Sequence, residues 1–161
     1  MTTAVLLSGS NLGDRKTNLE KAQQMLEDFC GKIILSSKIY ETESWGFTAP
    51  AFYNQATVIE TNLEPQKLLI QTQHIEKLLG RENNTKSASY TSRTIDIDIL
   101  FYGNRIINTE NLQIPHPLIA SRRFVLVPLS EIMPDFIHPV SKKTIWELLQ
   151  ACADNGVVSE V

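Results

Sequence analysis

The sequence predicts an α+β fold: an antiparallel sheet on the ferredoxin-like split-βαβ pattern, with packed helices and extra C-terminal helical segments. Three observations predict it. Apolar periodicity switches between strand-like and helix-like stretches in the order β-α-β-β-α-β over the first two thirds of the chain. Both helical stretches carry start and stop residues. No internal repeat, low-complexity tract or linker interrupts the 161 residues, so 1–161 reads as one domain. The order predicts helices mainly on one face of the sheet. A fold of this kind hosts many activities and names none of them.

Taken in order, "AVLLS" at 4–8 is a buried strand, and "GSNLGD" turns the chain into a helix over 15–29. Asp14 suits the N-cap, Leu19, Ala22, Met25, Leu26 and Phe29 form its apolar stripe, and Gly31 follows its end. "KIILSSKIYET" and "FYNQATVIET" are strand-like runs joined by "ESWGFTAPA", whose Gly and Pro argue for a loop. Pro65 opens a second helix with Leu68, Leu69, Thr72, Ile75, Leu78 and Leu79 on one stripe, and Gly80 ends it. "RENNTKSASYTS" has no apolar period and reads as a mobile loop. After it come the strand "TIDIDILFY", a Gly103-Asn104 hairpin turn and a short strand at "RII". The last third predicts two more helical pieces separated by proline-rich connections.

Composition narrows the function classes. Hydrophobic residues make up 42% and charged residues 20%, an ordinary globular balance. Fifteen basic against eighteen acidic residues leave a net charge of -3, which argues against coating nucleic acid by bulk charge. Cys30 and Cys152 form neither a metal-type spacing nor a disulfide framework, so a reducing, cytoplasmic location is expected. No signal peptide or membrane span is expected, and a monomer is the default.

The chemistry concentrates in "RTIDIDIL" at 93–100. Residues two apart share a strand face, so Ile95, Ile97 and Ile99 line one side and Asp96, Asp98, Leu100 and Tyr102 the other. A solvated outer face is the plainer reading of the aspartates. Leu100 and Tyr102 on their side weaken it, since that side is then partly covered. Carboxylates at i and i+2 lie about 6–7 Å apart along a strand. That suits a pair of cations about 3.5–4 Å apart, the arrangement used in attack on phosphorus. Magnesium fits, because it takes few protein carboxylates and leaves room for phosphate oxygens and water.

Basic groups flank this run: Arg81, Lys86 and Arg93 before it, His116, Arg122 and Arg123 after it. Solvated surface is their plain reading and a phosphate clamp their functional one. Asn54 shares a strand side with Phe52, Ala56 and Val58, where a buried amide needs partners that a flat heterocycle supplies as well as backbone does. Gln73 and Glu76 lie one turn apart on the second helix, with surface placement the safer expectation. Thr42, Trp45 and Phe47 are either core anchors or a ligand wall. "GSNLGD" reads as a strand-to-helix turn without a Walker lysine.

Together these pieces resemble the 6-hydroxymethyl-7,8-dihydropterin pyrophosphokinase family. The matching stretches are "GSNLGD", "YET", "FYNQA", "QHIEKLLGR", "SRTIDIDILFYGN", "IPHP" and "SRRFVLVPLSEI", in the family's order over nearly the whole chain. The resemblance implies transfer of pyrophosphate from ATP to the pterin hydroxymethyl group, with release of AMP, in folate biosynthesis. It implies a catalytic set of Arg81, Arg93, Asp96 and Asp98, with Asp96 and Asp98 holding two Mg2+. Gln73, Glu76, Arg93, His116 and Arg122 would bind ATP, with Arg81 closing over its phosphates. Phe52 and Phe124 would sandwich the pterin, and Asn54 and Thr42 would bond its edge. Tyr90 stands where the family commonly has a tryptophan, and would cover the site. A two-metal nucleotidyltransferase and an RNA-binding split-βαβ module are the alternative readings.

Overall fold

The structure is a computed structural model and describes residues 1–42, 51–80 and 94–161. The elements are β1 Thr2–Ser10, α1 Arg15–Phe29, β2 Lys32–Ser36, β3 Tyr40–Thr42, β4 Phe52–Thr61, α2 Pro65–Leu78 and β5 Asp96–Tyr102. Then follow β6 Ile107–Asn108, β7 Gln113–Ile114, a 3₁₀ turn at Ile119–Ser121, α3 Arg123–Ile132, α4 Ile145–Ala151 and β8 Val158–Glu160.

The first helix runs over the residues its signals predict, and Asp14 accepts a capping bond from the Thr17 N–H at 3.1 Å. The last helix carries a full capping box: Thr144 and Glu147 each accept the other's backbone N–H. Five strands run in the order β5-β1-β4-β3-β8, and β2 also pairs with β4, all antiparallel. β2 and β3 share one edge of β4. Ser37 bridges the break between them, donating its N–H to the Ala56 carbonyl and accepting the Ala56 N–H on Oγ.

Two apolar layers sandwich the sheet. Ala4, Leu6, Ile59, Ile97 and Ile99 meet α1 and α2 on one face, through Leu19, Leu26, Leu68 and Ile75. Val5, Leu7, Ala56, Val58, Leu100 and Phe101 meet α3 and α4 on the other, through Val125, Leu126, Leu129 and Leu148. Helices thus cover both faces, not mainly one. The two C-terminal helices supply the second layer. Truncating a fully buried side chain such as Leu6 or Phe101 would cost about 2–5 kcal/mol.

Three local expectations are corrected. The pairing of β1 with β5 shifts register between Val5 and Leu6, so Leu100 and Phe101 both reach the second face and Tyr102 turns back to the first. Strict alternation misses such a bulge. The turn at Gly103-Asn104 closes no hairpin: the Gly103 N–H bonds Thr3, and β6 pairs with β7 rather than with β5. On α2, Leu78 is 52% exposed while Glu76 is 5% exposed, so a carboxylate occupies the stripe where leucine was expected.

Candidate active site

The second face carries a polar row across its strands. Gly9 on β1 stands opposite Asn54 on β4 and, on its other side, opposite Asp96 on β5. Residues directly opposite in antiparallel pairs point the same way, so Asp96, Gly9 and Asn54 form one line on the α3 and α4 face. Two strand spacings, about 10 Å, separate the strands carrying Asp96 and Asn54. Asp98 stands one row further in, opposite Leu7. Both aspartates are half-buried.

Gly9 is a residue of this row that sequence reasoning passed over. A Cβ there would lie 2.5 Å from Asn54 Oδ1 and 3.6 Å from the Phe52 ring. The missing side chain therefore lets the Asn54 amide, 4% exposed as a residue, lie across β1 toward Asp96. A glycine inside a strand was the available signal, since it marks a close approach.

Beyond Asn54 the row continues to Tyr40 on β3, and Thr42 stands opposite Phe52. Among the described residues, Thr42 Oγ1 and Ser8 Oγ are the buried side-chain oxygens without a hydrogen-bond partner. Ser8 lies on the other face, level with Ile97, whereas Thr42 shares the face of Phe52 and Asn54. An orphaned hydroxyl at the end of such a row suits a ligand acceptor or donor.

α3 roofs this end. Phe124 packs on the second-face cluster, and Arg122 is the N-cap residue of the helix. Phe52 and Phe124 make no ring contact with each other among the described residues. The far end of α3 is fastened by Glu131, which accepts the Tyr40 hydroxyl at 2.7 Å and the Lys38 N–H at 3.0 Å. Burial and that carboxylate push the Tyr40 phenol up to about 12.

Beside the row, β5 is the outermost strand among the described residues, and its outer edge is fixed at two points. Glu76 accepts the Ile97 N–H at 2.8 Å, and the His116 N–H donates to the Leu100 carbonyl at 3.0 Å. Between them opens a cleft of about 420 Å³ lined by Leu69, Asp98, Asn111, Gln113, His116 and Pro117, among others. His116 Nδ1 accepts the Leu118 N–H at 3.2 Å, so a neutral ring carries its proton on Nε2. Burial holds this imidazole below the ordinary value of 6.5, and the charge of Asp96 opposes that shift.

The structure thus gathers Asp96, Asp98, Asn54, Phe52 and Thr42 on one face. Phe124 and Arg122 come from the helix above it, and His116 from the edge. Glu76 is buried behind β5 rather than at the surface, and Gln73 one turn away is exposed. Arg81, Tyr90 and Arg93 lie outside the described residues, as do Lys86, Trp45, Phe47 and the expected mobile loop. Asn111 and Gln113 reach the cleft through the β6–β7 pairing, which no local motif announces.

The sequence profile described as 7,8-dihydro-6-hydroxymethylpterin-pyrophosphokinase (HPPK) matches residues 5–134. The chain belongs to this family. The 2-amino-4-hydroxy-6-hydroxymethyldihydropteridine pyrophosphokinase of Aquifex aeolicus is 40% identical over 148 residues, covering 91% of this chain and 90% of that protein. The enzyme of the same name from Bacillus subtilis is 43% identical over 131 residues, covering 80% and 77%. Folic acid synthesis protein fol1 of Pneumocystis carinii is 40% identical over 96% of this chain, which spans only 21% of that longer protein. A crystal structure of a Plasmodium falciparum HPPK-DHPS triple mutant with STZ-DHP superposes with a TM-score of 0.76 at 21% identity, over 93% of this chain and 43% of that one. At that identity the likeness shows the fold, and the fold agrees with the split-βαβ expectation.

Proposed function

We propose that this chain transfers the pyrophosphoryl group of ATP to the hydroxymethyl group of 6-hydroxymethyl-7,8-dihydropterin, giving the pterin diphosphate and AMP, a step of folate biosynthesis. Family membership supports the reaction class. The observation that carries the residue assignment is the row Asp96–Gly9–Asn54, with carboxylate chemistry at one end and an amide pocket at the other.

The pterin half is built for a flat, amide-edged ring. Asn54 and the orphaned Thr42 hydroxyl offer donors and acceptors to its edge, and Phe52 and Phe124 offer its two faces apolar cover. A ring bound there would direct its hydroxymethyl arm along the row toward Asp96. The nucleotide half follows the edge of β5. Strand edges present backbone donors and acceptors, which suit the rim of a purine, and the cleft lies beside Asp98 and His116.

Asp96 and Asp98 fit a pair of Mg2+ ions. They are two half-buried carboxylates on one strand face, and among the described residues no group of three or more His, Cys, Asp or Glu could hold an ion alone. That donor set matches a metal completed by phosphate oxygens and water. When bound, the ions would neutralise the phosphates and acidify the pterin hydroxyl. His116 would donate Nε2–H to a phosphate oxygen, and Arg122 would add a charged donor from the start of α3. Arg81 and Arg93 would complete the clamp, Gln73 would meet the nucleotide from α2, and Tyr90 would cover the site. The hydroxyl oxygen then attacks the β-phosphorus in line, its bond to the α-bridging oxygen breaks, and the hydroxyl proton passes to solvent. Most of the catalysis is positioning and electrostatics.

Incubation with ATP, Mg2+ and the hydroxymethyldihydropterin, followed by nucleotide separation, tests this reading. AMP formation that depends on the pterin is expected. Formation of ADP, or release of inorganic pyrophosphate, would replace it with a different transferase.

A further inference from the structure

α3 brings Arg122 and Phe124 to the second face, yet no N-cap side chain of its own holds its first turn. The acceptor comes from 31 residues downstream. Asp154 Oδ2 accepts the Arg123 N–H at 3.0 Å, and its Oδ1 accepts the Gly156 N–H at 2.8 Å. Arg123 answers with its side chain, donating Nε–H to the Gly156 carbonyl at 3.1 Å. The chain then runs directly into β8, which pairs with β3 at Val158 opposite Thr42 and Glu160 opposite Tyr40. One stretch of seven residues is therefore bonded to the start of α3 at one end and to the strand carrying Thr42 at the other.

We propose that Asp154 is a positioning residue for the transfer reaction: through the Arg123 N–H it sets the spacing between the α3 start, with Arg122 and Phe124, and the strand end carrying Thr42 and Phe52. It touches neither substrate. The inference rests on the assignment of Phe124 and Thr42 to the pterin made above. Successive helical residues point about 100° apart. Committing Arg123 to the tail thus turns Phe124 away from the tail, toward the cluster it packs on. The two N–H donors and the nearby Arg122 and Arg123 charges hold the Asp154 carboxyl below its ordinary value, so it is ionised where the enzyme works. Asp154 lies beyond the residues 5–134 that the family profile matches.

The test is steady-state kinetics of AMP formation by the full chain carrying Asp154→Ala, with thermal melts alongside. The KM for the pterin is expected to rise about tenfold with kcat within about twofold, the size of a lost helix cap expressed as weakened binding. Asp154→Asn should restore part of the loss, because its single amide oxygen serves one of the two N–H groups. Glu160→Ala, which removes the exposed pair with Lys38 and a carboxylate charge that acts on Tyr40, should leave the KM unchanged. A lower melting temperature with a wild-type KM in Asp154→Ala would overturn the proposal. Should that variant fail to fold, the KM of Asp154→Asn decides: raised supports positioning, unchanged refutes it. An inactive wild-type chain would instead sink the reading of the function, and this inference with it.

Discussion

The two halves of the proposed site are built in different ways. The proposed pterin half is a matter of register: Asp96, Gly9 and Asn54 meet because three antiparallel strands are aligned, and Gly9 leaves the space that Asn54 fills. The proposed nucleotide half is a matter of an edge: β5 ends the sheet among the described residues, and chain from elsewhere comes to it, Glu76 from α2, His116 after β7, Asn111 and Gln113 from the β6–β7 pairing. Register fixes distances through many backbone hydrogen bonds at once. Edge contacts are single bonds, each removable alone. Mutations in the first half should therefore act sharply on one substrate, and mutations in the second half should act in smaller, separable steps.

The strongest test lies where the halves meet. Asp96→Ala and Asp98→Ala should each lower kcat by at least about a hundredfold, the scale of removing a group that stabilises charge in the transition state. AMP production measured by nucleotide separation checks this, and near-normal turnover in either variant would dissolve the junction. Gly9→Ala comes next. The added Cβ must displace the Asn54 amide, and overpacking of this kind costs about 1–3 kcal/mol. Pterin affinity measured by calorimetry should fall about tenfold, with ATP affinity unchanged; equal loss of both would erase the distinction between the halves.

On the edge side, Glu76→Ala strands the buried Ile97 N–H, at a cost of about 1–3 kcal/mol. Thermal melts should show that loss, and ATP affinity should fall more than pterin affinity. The smallest effect concerns His116. Its folded value is lowered, so below about 6.5 the unfolded chain takes up a proton first. Its contribution to stability is complete above that pH and declines as pH falls toward the folded value. NMR titration should place the His116 midpoint below 6.5, and Asp96→Asn should move it lower still, because an opposing negative charge is gone. A midpoint that ignores that substitution would separate His116 from Asp96.

The same division explains what the sequence reveals. Local signals serve the elements well: Asp14 to Phe29 give α1 its bounds, Pro65 opens α2, and the alternation of 95–99 puts both aspartates opposite the isoleucines. Phe52 and Asn54 follow from one strand's parity and share a face as expected. What fails is non-local. The register shift against Val5 and Leu6 turns Tyr102 over, and nothing within "DIDILFY" encodes it. Glu76 reads as a surface carboxylate because its partner, the Ile97 N–H, lies 21 residues away. The second helical layer, the β6–β7 pairing and the Asp154 bond to α3 likewise depend on where distant chain returns. The family resemblance carries the reaction class without any of these contacts, since its motifs are runs of local sequence, on strands β4 and β5 and on helices α2 and α3 alike.

Metal uptake probes the roles proposed for Asp96 and Asp98. With Mn2+ in place of Mg2+, a non-hydrolysable ATP analogue and the pterin, electron paramagnetic resonance should count two bound ions per chain, and Asp98→Ala should lose at least one of them. Undiminished uptake by that variant would contradict the account.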